Sequence, residues 1–244
     1  MTGGSTRPPS QTHGEAGLVR GLVLALLALL LAAGAAFWWF VLREDAPERA
    51  ALGDCAPPAG AVAGPATVEG RWRVRAGDPE TVFVGYRIEE RFGGETISKD
   101  AAGRTGEVEG TLSSDGTSVT EASVVAQLGS LQSNRTARDT ALRTKGLETD
   151  TFPEARFTLT EPIVLAPPEV GRAVQADARG TLELHGTERE VVVPIQACWT
   201  GPTIRLSGSL PVVLADYGIP PVETPIVEID DHGELEFELT FVPG

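Results

Sequence analysis

The stretch whose reading decides the fold is GTLELHGTEREVVVPIQACW, residues 180–199. Its first half alternates: Leu182 and Leu184 fall on one side, Glu183 and His185 on the other. That two-residue period belongs to an extended strand, whose successive side chains point to opposite faces. Gly186-Thr187-Glu188 then supplies a tight-turn signal, and REVVVPIQACW resumes the extended run. The segment therefore reads as a β-hairpin.

The same period extends outward over the chain from about Val68. In TVFVGYRIEERF, residues Val82, Val84, Tyr86, Ile88 and Phe92 share a face that Glu90 interrupts. Val108 and Leu112 form another row, with Gly106 and Gly110 beside them; TEASVVAQL aligns Ala122, Val124, Ala126 and Leu128. Ala155, Phe157, Leu159, Ile163 and Leu165 make a further face, as do Ile204, Leu206 and Leu210. In GELEFELTF, Glu234, Glu236 and Glu238 alternate with Leu235, Phe237, Leu239 and Phe241. One-sided alternation over about eight strands predicts an all-β, antiparallel sheet with a wet outer face, closed as a barrel or paired as a sandwich. The inward rows are rich in Gly and Ala and poor in aromatics, which suggests a lightly filled interior.

SNRTARDTALRTKGLETDTFPEARF, residues 133–157, breaks the pattern. Its polar, Arg-rich start predicts a short helix over 136–143 at the barrel mouth, and Phe152-Pro153 restarts the extended chain. Arg135, Arg138 and Arg143 could grip a phosphate, because guanidinium forks match phosphate oxygens. The alternative makes Arg138 and Asp139 fasteners of a connection. Asn134-Arg135-Thr136 fits a glycosylation sequon.

Signals for catalysis are weak. His185 and His232 occupy polar positions near hairpin ends and read as exposed structural residues; no serine has a nucleophile-elbow context. Glu228 to Gly233 lacks calcium-loop spacing and reads as a hairpin turn needing no metal. The expectation is a protein that is not an enzyme, with no catalytic residue, no metal and no cofactor. An enzyme using Asp139, His185 or Asp216 would need those groups to converge.

The chain ahead of residue 68 is of a different kind. Gly21 to Leu42 runs 22 residues without a charge. As a helix it is about 33 Å long, close to the roughly 30 Å of a bilayer core. Phe37, Trp38, Trp39 and Phe40 sit at one end, where aromatic rings favour the interface. A cleaved signal peptide ending at Ala33-Gly34-Ala35 is the alternative. The expected organisation is a cytoplasmic tail over 1–17, a transmembrane helix over 18–42, a linker over 43–67 and a barrel over 68–244. The linker is rich in Ala, Pro and Gly, and as a flexible coil would hold the barrel roughly 25–30 Å from the membrane. The two cysteines, Cys55 and Cys198, are expected to form a disulfide in an oxidising compartment. The net charge is −14, and all of the excess lies beyond residue 42. An acidic body of this kind argues against nucleic acid as a partner; a homodimer is left open.

Taken in order, the motifs SNRTARDTALRTKGLETDTFPEARFTL, GTLELHGTEREVVVPI and VVLADYGIP resemble the YceI-like family of polyisoprenoid-binding proteins. The residues that carry the resemblance are Arg138-Asp139, Phe152-Pro153 with Phe157, Gly180 to Gly186, and Asp216-Tyr217-Gly218. It covers about residues 68–243. It departs where GYRIEERFGG replaces an aromatic-rich F-x-V-x-H strand, and in carrying a membrane anchor. The resemblance implies a lipocalin-like eight-stranded barrel with an elongated apolar cavity for an isoprenoid or other long-chain lipid. The inward apolar residues Val84, Tyr86, Ile88, Val108, Val124, Leu128, Phe157, Leu159, Leu182, Leu184, Leu206 and Phe237 are the expected ligand contacts. The rival is a filled barrel on a membrane stalk, acting as a ligand-free structural or interaction module.

Overall fold

The computed structural model describes residues 13–39, 46–57, 67–77, 79–92, 97–165, 168–220 and 227–244. It divides into two units, residues 1–45 and 46–244. The first holds helix α1, His13–Phe37. Its segment Arg20–Phe37 has a mean hydropathy of 2.2, and none of that segment is buried. Length and composition suit either a membrane span or a signal sequence. The expected continuation over residues 40–42 lies outside the described residues.

Among its described residues the second unit has twelve strands: β1 (Gly70–Val74), β2 (Phe83–Phe92), β3 (Ile97–Thr105), β4 (Val108–Ser114), β5 (Ser118–Gln127), β6 (Gln132–Ser133), β7 (Glu154–Leu159), β8 (Ile163–Val164), β9 (Ala173–Leu184), β10 (Thr187–Trp199), β11 (Ile204–Val213) and β12 (Val227–Pro243). Eight of them close a ring in the order β1-β4-β5-β7-β9-β10-β11-β12 and back to β1. Every pairing is antiparallel, so the expected eight-stranded barrel is the observed one. Helix α2, Thr136–Ala141, followed by a π-helical turn over Leu142–Gly146, lies between β6 and β7.

The β9–β10 hairpin turns one residue earlier than the sequence suggests. Leu184 pairs with Thr187, leaving His185 and Gly186 as a two-residue loop. Both have positive φ, 51° and 69°, the backbone of a type I′ turn, whose twist matches that of the flanking strands. His185 is therefore buried rather than exposed, with its ring 4.3 Å from that of Phe152. The Phe152-Pro153 step thus packs against the hairpin tip.

Strand β12 runs through the 228–233 segment instead of turning there. The register with β2 shifts between Ile229 and Gly233, a bulge in a continuous strand. One edge of β12 pairs with β11; the other is divided between β2 along most of its length and β1 at Phe241–Pro243.

The segment Ala46–Pro57, expected to be flexible linker, is a strap across the barrel's outer wall. Arg87 of β2 donates to the Pro47 carbonyl at 2.7 Å, Arg104 of β3 to that of Glu48, and Arg205 of β11 to that of Asp54 at 2.8 Å. Arg49 pairs with Glu234 and, at 3.5 Å, with Asp100. Cys55 is bonded to Cys198 of β10, with the Cα atoms 5.9 Å apart. Beneath the strap, the outward-facing Arg87–Glu236 pair, at 2.7 Å, is almost wholly buried. Burial works against the Arg87 charge, but Glu236 and Asp100 together outweigh it and raise its pKa.

Candidate functional site

The inward rows leave the lumen partly empty, in two adjoining chambers. One, of about 170 Å³, lies at the end defined by Val119, Ile163 and Phe241. The other, of about 310 Å³, lies beneath α2 and the π-helical turn, reached by Leu128, Ile219 and Val227. Val84, Ala155 and Leu235 line both, so the chambers meet in the middle of the barrel.

Three aromatic rings account for much of that space. Phe237 lies over Gly208, its partner across the β11–β12 ladder; a Cβ at Gly208 would sit 2.6 Å from Phe237 Cζ. Tyr86 lies over its partner Gly103, where a Cβ would meet the ring at 2.5 Å, and Phe157 lies over Gly180 at 2.6 Å. A ring laid flat on a glycine of the next strand occupies the wall and leaves the lumen open. Any side chain at those glycines would lift the rings inward.

Of the residues expected to face a ligand, Val124, Phe157, Leu159, Leu182, Leu206 and Phe237 line the first chamber, with Val84. Tyr86, Ile88, Leu128 and Leu184 line the second, again with Val84. Val108 is buried in the core but lines neither. Sequence reasoning missed the cover of the second chamber, where Leu131, Leu142 and Leu147 face inward from the irregular segment. It also missed the polar end of that chamber.

That end is built around Glu90, the residue that breaks the apolar row of β2. Arg138 of α2 donates to both Glu90 oxygens, Nε at 2.6 Å and NH2 at 2.8 Å. Its NH1 donates to Ser133 Oγ at 3.2 Å and to Asn134 Oδ1 at 2.7 Å. Burial opposes the Arg138 charge, but Glu90, with Tyr86 and Asp139 adding to it, more than compensates and its pKa is raised. Asp139 accepts from the Ser133 backbone N–H at 3.0 Å and from its hydroxyl at 2.6 Å. Arg138 and Asp139 therefore pin α2 over the chamber. Beside them, the Tyr86 hydroxyl is buried, with Ser133 as its polar neighbour. Burial drives its pKa far above the ordinary phenol range, with Arg138 offsetting only part of the effect.

The candidate catalytic groups are separately engaged. Asp139 serves Ser133, Asp216 faces Arg189 at 3.6 Å, and His185 contacts the Tyr217 carbonyl at 3.2 Å and Glu148 at 3.1 Å. No nucleophile–base pair forms between them among the described residues. Asp230, Asp231 and His232 cluster on β12, but Asp230 is already paired with Arg91 at 2.6 Å and the other two side chains are exposed.

A closed antiparallel barrel with an apolar lumen defines the class of small lipid- and ligand-binding barrels. The profile of the YceI-like domain matches residues 77–241, and the chain belongs to that family. No curated protein matches it. Among solved structures, a polyisoprenoid binding domain from Saccharophagus degradans, described as implicated in plant cell wall breakdown, is similar. The two share 18% identity over 71% of this chain and 98% of that one, with a TM-score of 0.54. BcnA of Burkholderia cenocepacia shares 17% identity over 64% of this chain and 95% of its own, with a TM-score of 0.49. A Campylobacter jejuni YceI protein shares 16% identity over 50% of this chain and 71% of its own, at 0.40.

Proposed function

We propose that the barrel binds an isoprenoid or similar long-chain lipid along its lumen, and that α1 tethers it to a membrane with the barrel outside the cytoplasm. The observation that carries this reading is the pair of adjoining chambers walled by apolar side chains. Such a lumen removes a hydrocarbon chain from water at about 25 cal/mol per Å² buried. A ligand-free module would be expected to fill the space with large side chains; here the rings lie back against the walls. The disulfide supports an oxidising compartment, and α1 has the length of a span. The reading is of a carrier or shield rather than a catalyst.

Native mass spectrometry of the full chain purified from membranes tests it. The expected result is a non-covalent adduct that organic extraction releases as a long-chain lipid. A barrel that is empty as isolated and takes up no added isoprenoid would overturn the proposal.

A further inference from the structure

We propose that Ala155 sets the length of chain the lumen accepts, by keeping open a waist through which one hydrocarbon chain threads between the two chambers. This inference rests on the lumen being a lipid site, and it narrows the ligand to a single-chain lipid longer than either chamber. The observation that carries it is the junction. Among the described lining residues, only Val84 of β2, Ala155 of β7 and Leu235 of β12 border both chambers.

Strand order sets these three on opposing walls. In the eight-stranded ring β7 stands four places from β12, so Ala155 faces the wall that holds Leu235 and, on the adjoining β2, Val84. On the β7 side the lining is small: Ala155 pairs with Ala126 of β5, and both are buried. Branched side chains therefore bound the passage on one side and methyl groups on the other. Each waist residue also has a neighbouring ring that is turned out of the way. Phe157, next after Ala155 in the inward row of β7, lies on Gly180. Phe237, the cross-strand partner of Val84, lies on Gly208, and Tyr86, the partner of Leu235, lies on Gly103. With the rings held to the wall and alanine at the gap, the junction is a channel.

Chain length follows from that geometry. A chain that fits one chamber needs no passage, whereas a longer one is fully buried only by occupying both, with a further hydrophobic gain for each methylene taken up. Growth of the side chain at 155 toward Leu235 would close the waist and leave two separate cavities, of about 170 and 310 Å³. Valine adds two carbons there and leucine three. Ala155 is packed closely against its own wall, so those carbons have only the junction to occupy. Short chains would keep their affinity, and the advantage of a long chain would be lost. A residue that served packing alone would affect both alike.

The test is native mass spectrometry of the full chain in detergent, titrated with geraniol and with geranylgeraniol, prenols that share a head group and differ in length. The ratio of their affinities is compared between wild type and variant, because partition of each prenol into the micelle is common to both proteins and cancels. Wild type should prefer geranylgeraniol. In Ala155→Leu that preference should fall by about tenfold or more, with geraniol held within about threefold, and Ala155→Val should lie between. Thermal melting of the ligand-free variants reports on folding; where the leucine variant does not melt cooperatively, the valine variant decides by the same ratio. A wild type that binds the two prenols alike, a variant that weakens both equally, or one that changes neither would overturn the proposal and leave the lipid-binding reading standing. If wild type binds neither prenol, both fall.

Discussion

Reduction of the Cys55–Cys198 bond should loosen the strap and cost the barrel a large part of its stability. The bond joins residues 143 apart in sequence, and closing a loop of that length removes about 5 kcal/mol of unfolded-state entropy. The strap's other ties are weaker. Arg49, Glu234 and Asp100 are each more than a third exposed, so their pairs contribute on the order of 0–1 kcal/mol. The Arg104 and Arg205 bonds to strap carbonyls are also exposed; only the Arg87 bond to Pro47 is partly buried. The disulfide therefore outweighs any other single tie. In a domain of this size 1 kcal/mol moves the melting temperature by about 2–4 °C, so full reduction should lower it by about 10–20 °C. Calorimetry of the full chain with and without a phosphine reductant measures that shift, and limited proteolysis should cut within 46–57 faster after reduction. A shift below about 3 °C, or a strap cut no faster after reduction, would refute the reasoning.

Three further outcomes follow from the geometry. Glu90→Gln leaves Arg138 as a buried charge with half its partner gone, and should cost about 3 kcal/mol in a urea titration; Glu90→Gln combined with Arg138→Met should cost less than the single change. Gly208→Ala forces the Phe237 ring inward and strains a contact with the Pro194 carbonyl, also at 2.6 Å. It should cost about 1–3 kcal/mol and reduce lipid uptake in native mass spectra, whereas Gly129→Ala, with nothing within 4 Å, should do neither. Asp115 caps the β4–β5 turn, where the Thr117 and Ser118 backbone N–H groups and the Thr117 hydroxyl hold its carboxyl below the usual range. A folded-state pKa below the unfolded value gives stability that is present above about pH 4 and lost as pH falls through the folded pKa. Asp115→Asn should accordingly flatten the acid limb of the stability–pH curve.

Much of this was legible in the chain. The alternation within 180–199 and 233–241 marks parts of three strands, because an outward polar row and an inward apolar row leave only one way to face a core. The resemblance of the Arg138-Asp139, Phe152-Pro153 and Asp216-Tyr217-Gly218 motifs supplied the closure into a barrel. What escaped the reading depends on contacts across long separations. Ala46–Pro57 has the composition of a coil, and nothing local shows that Arg87, Arg104 and Arg205 would meet its carbonyls. Glu236 sits on the polar face of β12 yet is buried, because the strap covers that face. Glu90 was visible as a break in a row, but its partner lies 48 residues further on. Gly103, Gly180 and Gly208 look like weak points in strands until the rings that rest on them are placed.

The division of one edge of β12 between β1 and β2 has a consequence for biosynthesis. Chains emerge from the ribosome N-terminus first, so β1, β2 and β11 must each wait for residues 227–243. Until then three strand edges stand open at once, which is the condition under which chains pair with the wrong neighbour. The nascent barrel cannot enclose cargo while its seam is missing. Loading with lipid therefore belongs after synthesis is finished, and a ribosome that stalls before Val227 leaves a sticky, open-sided sheet in place of a slightly shorter carrier.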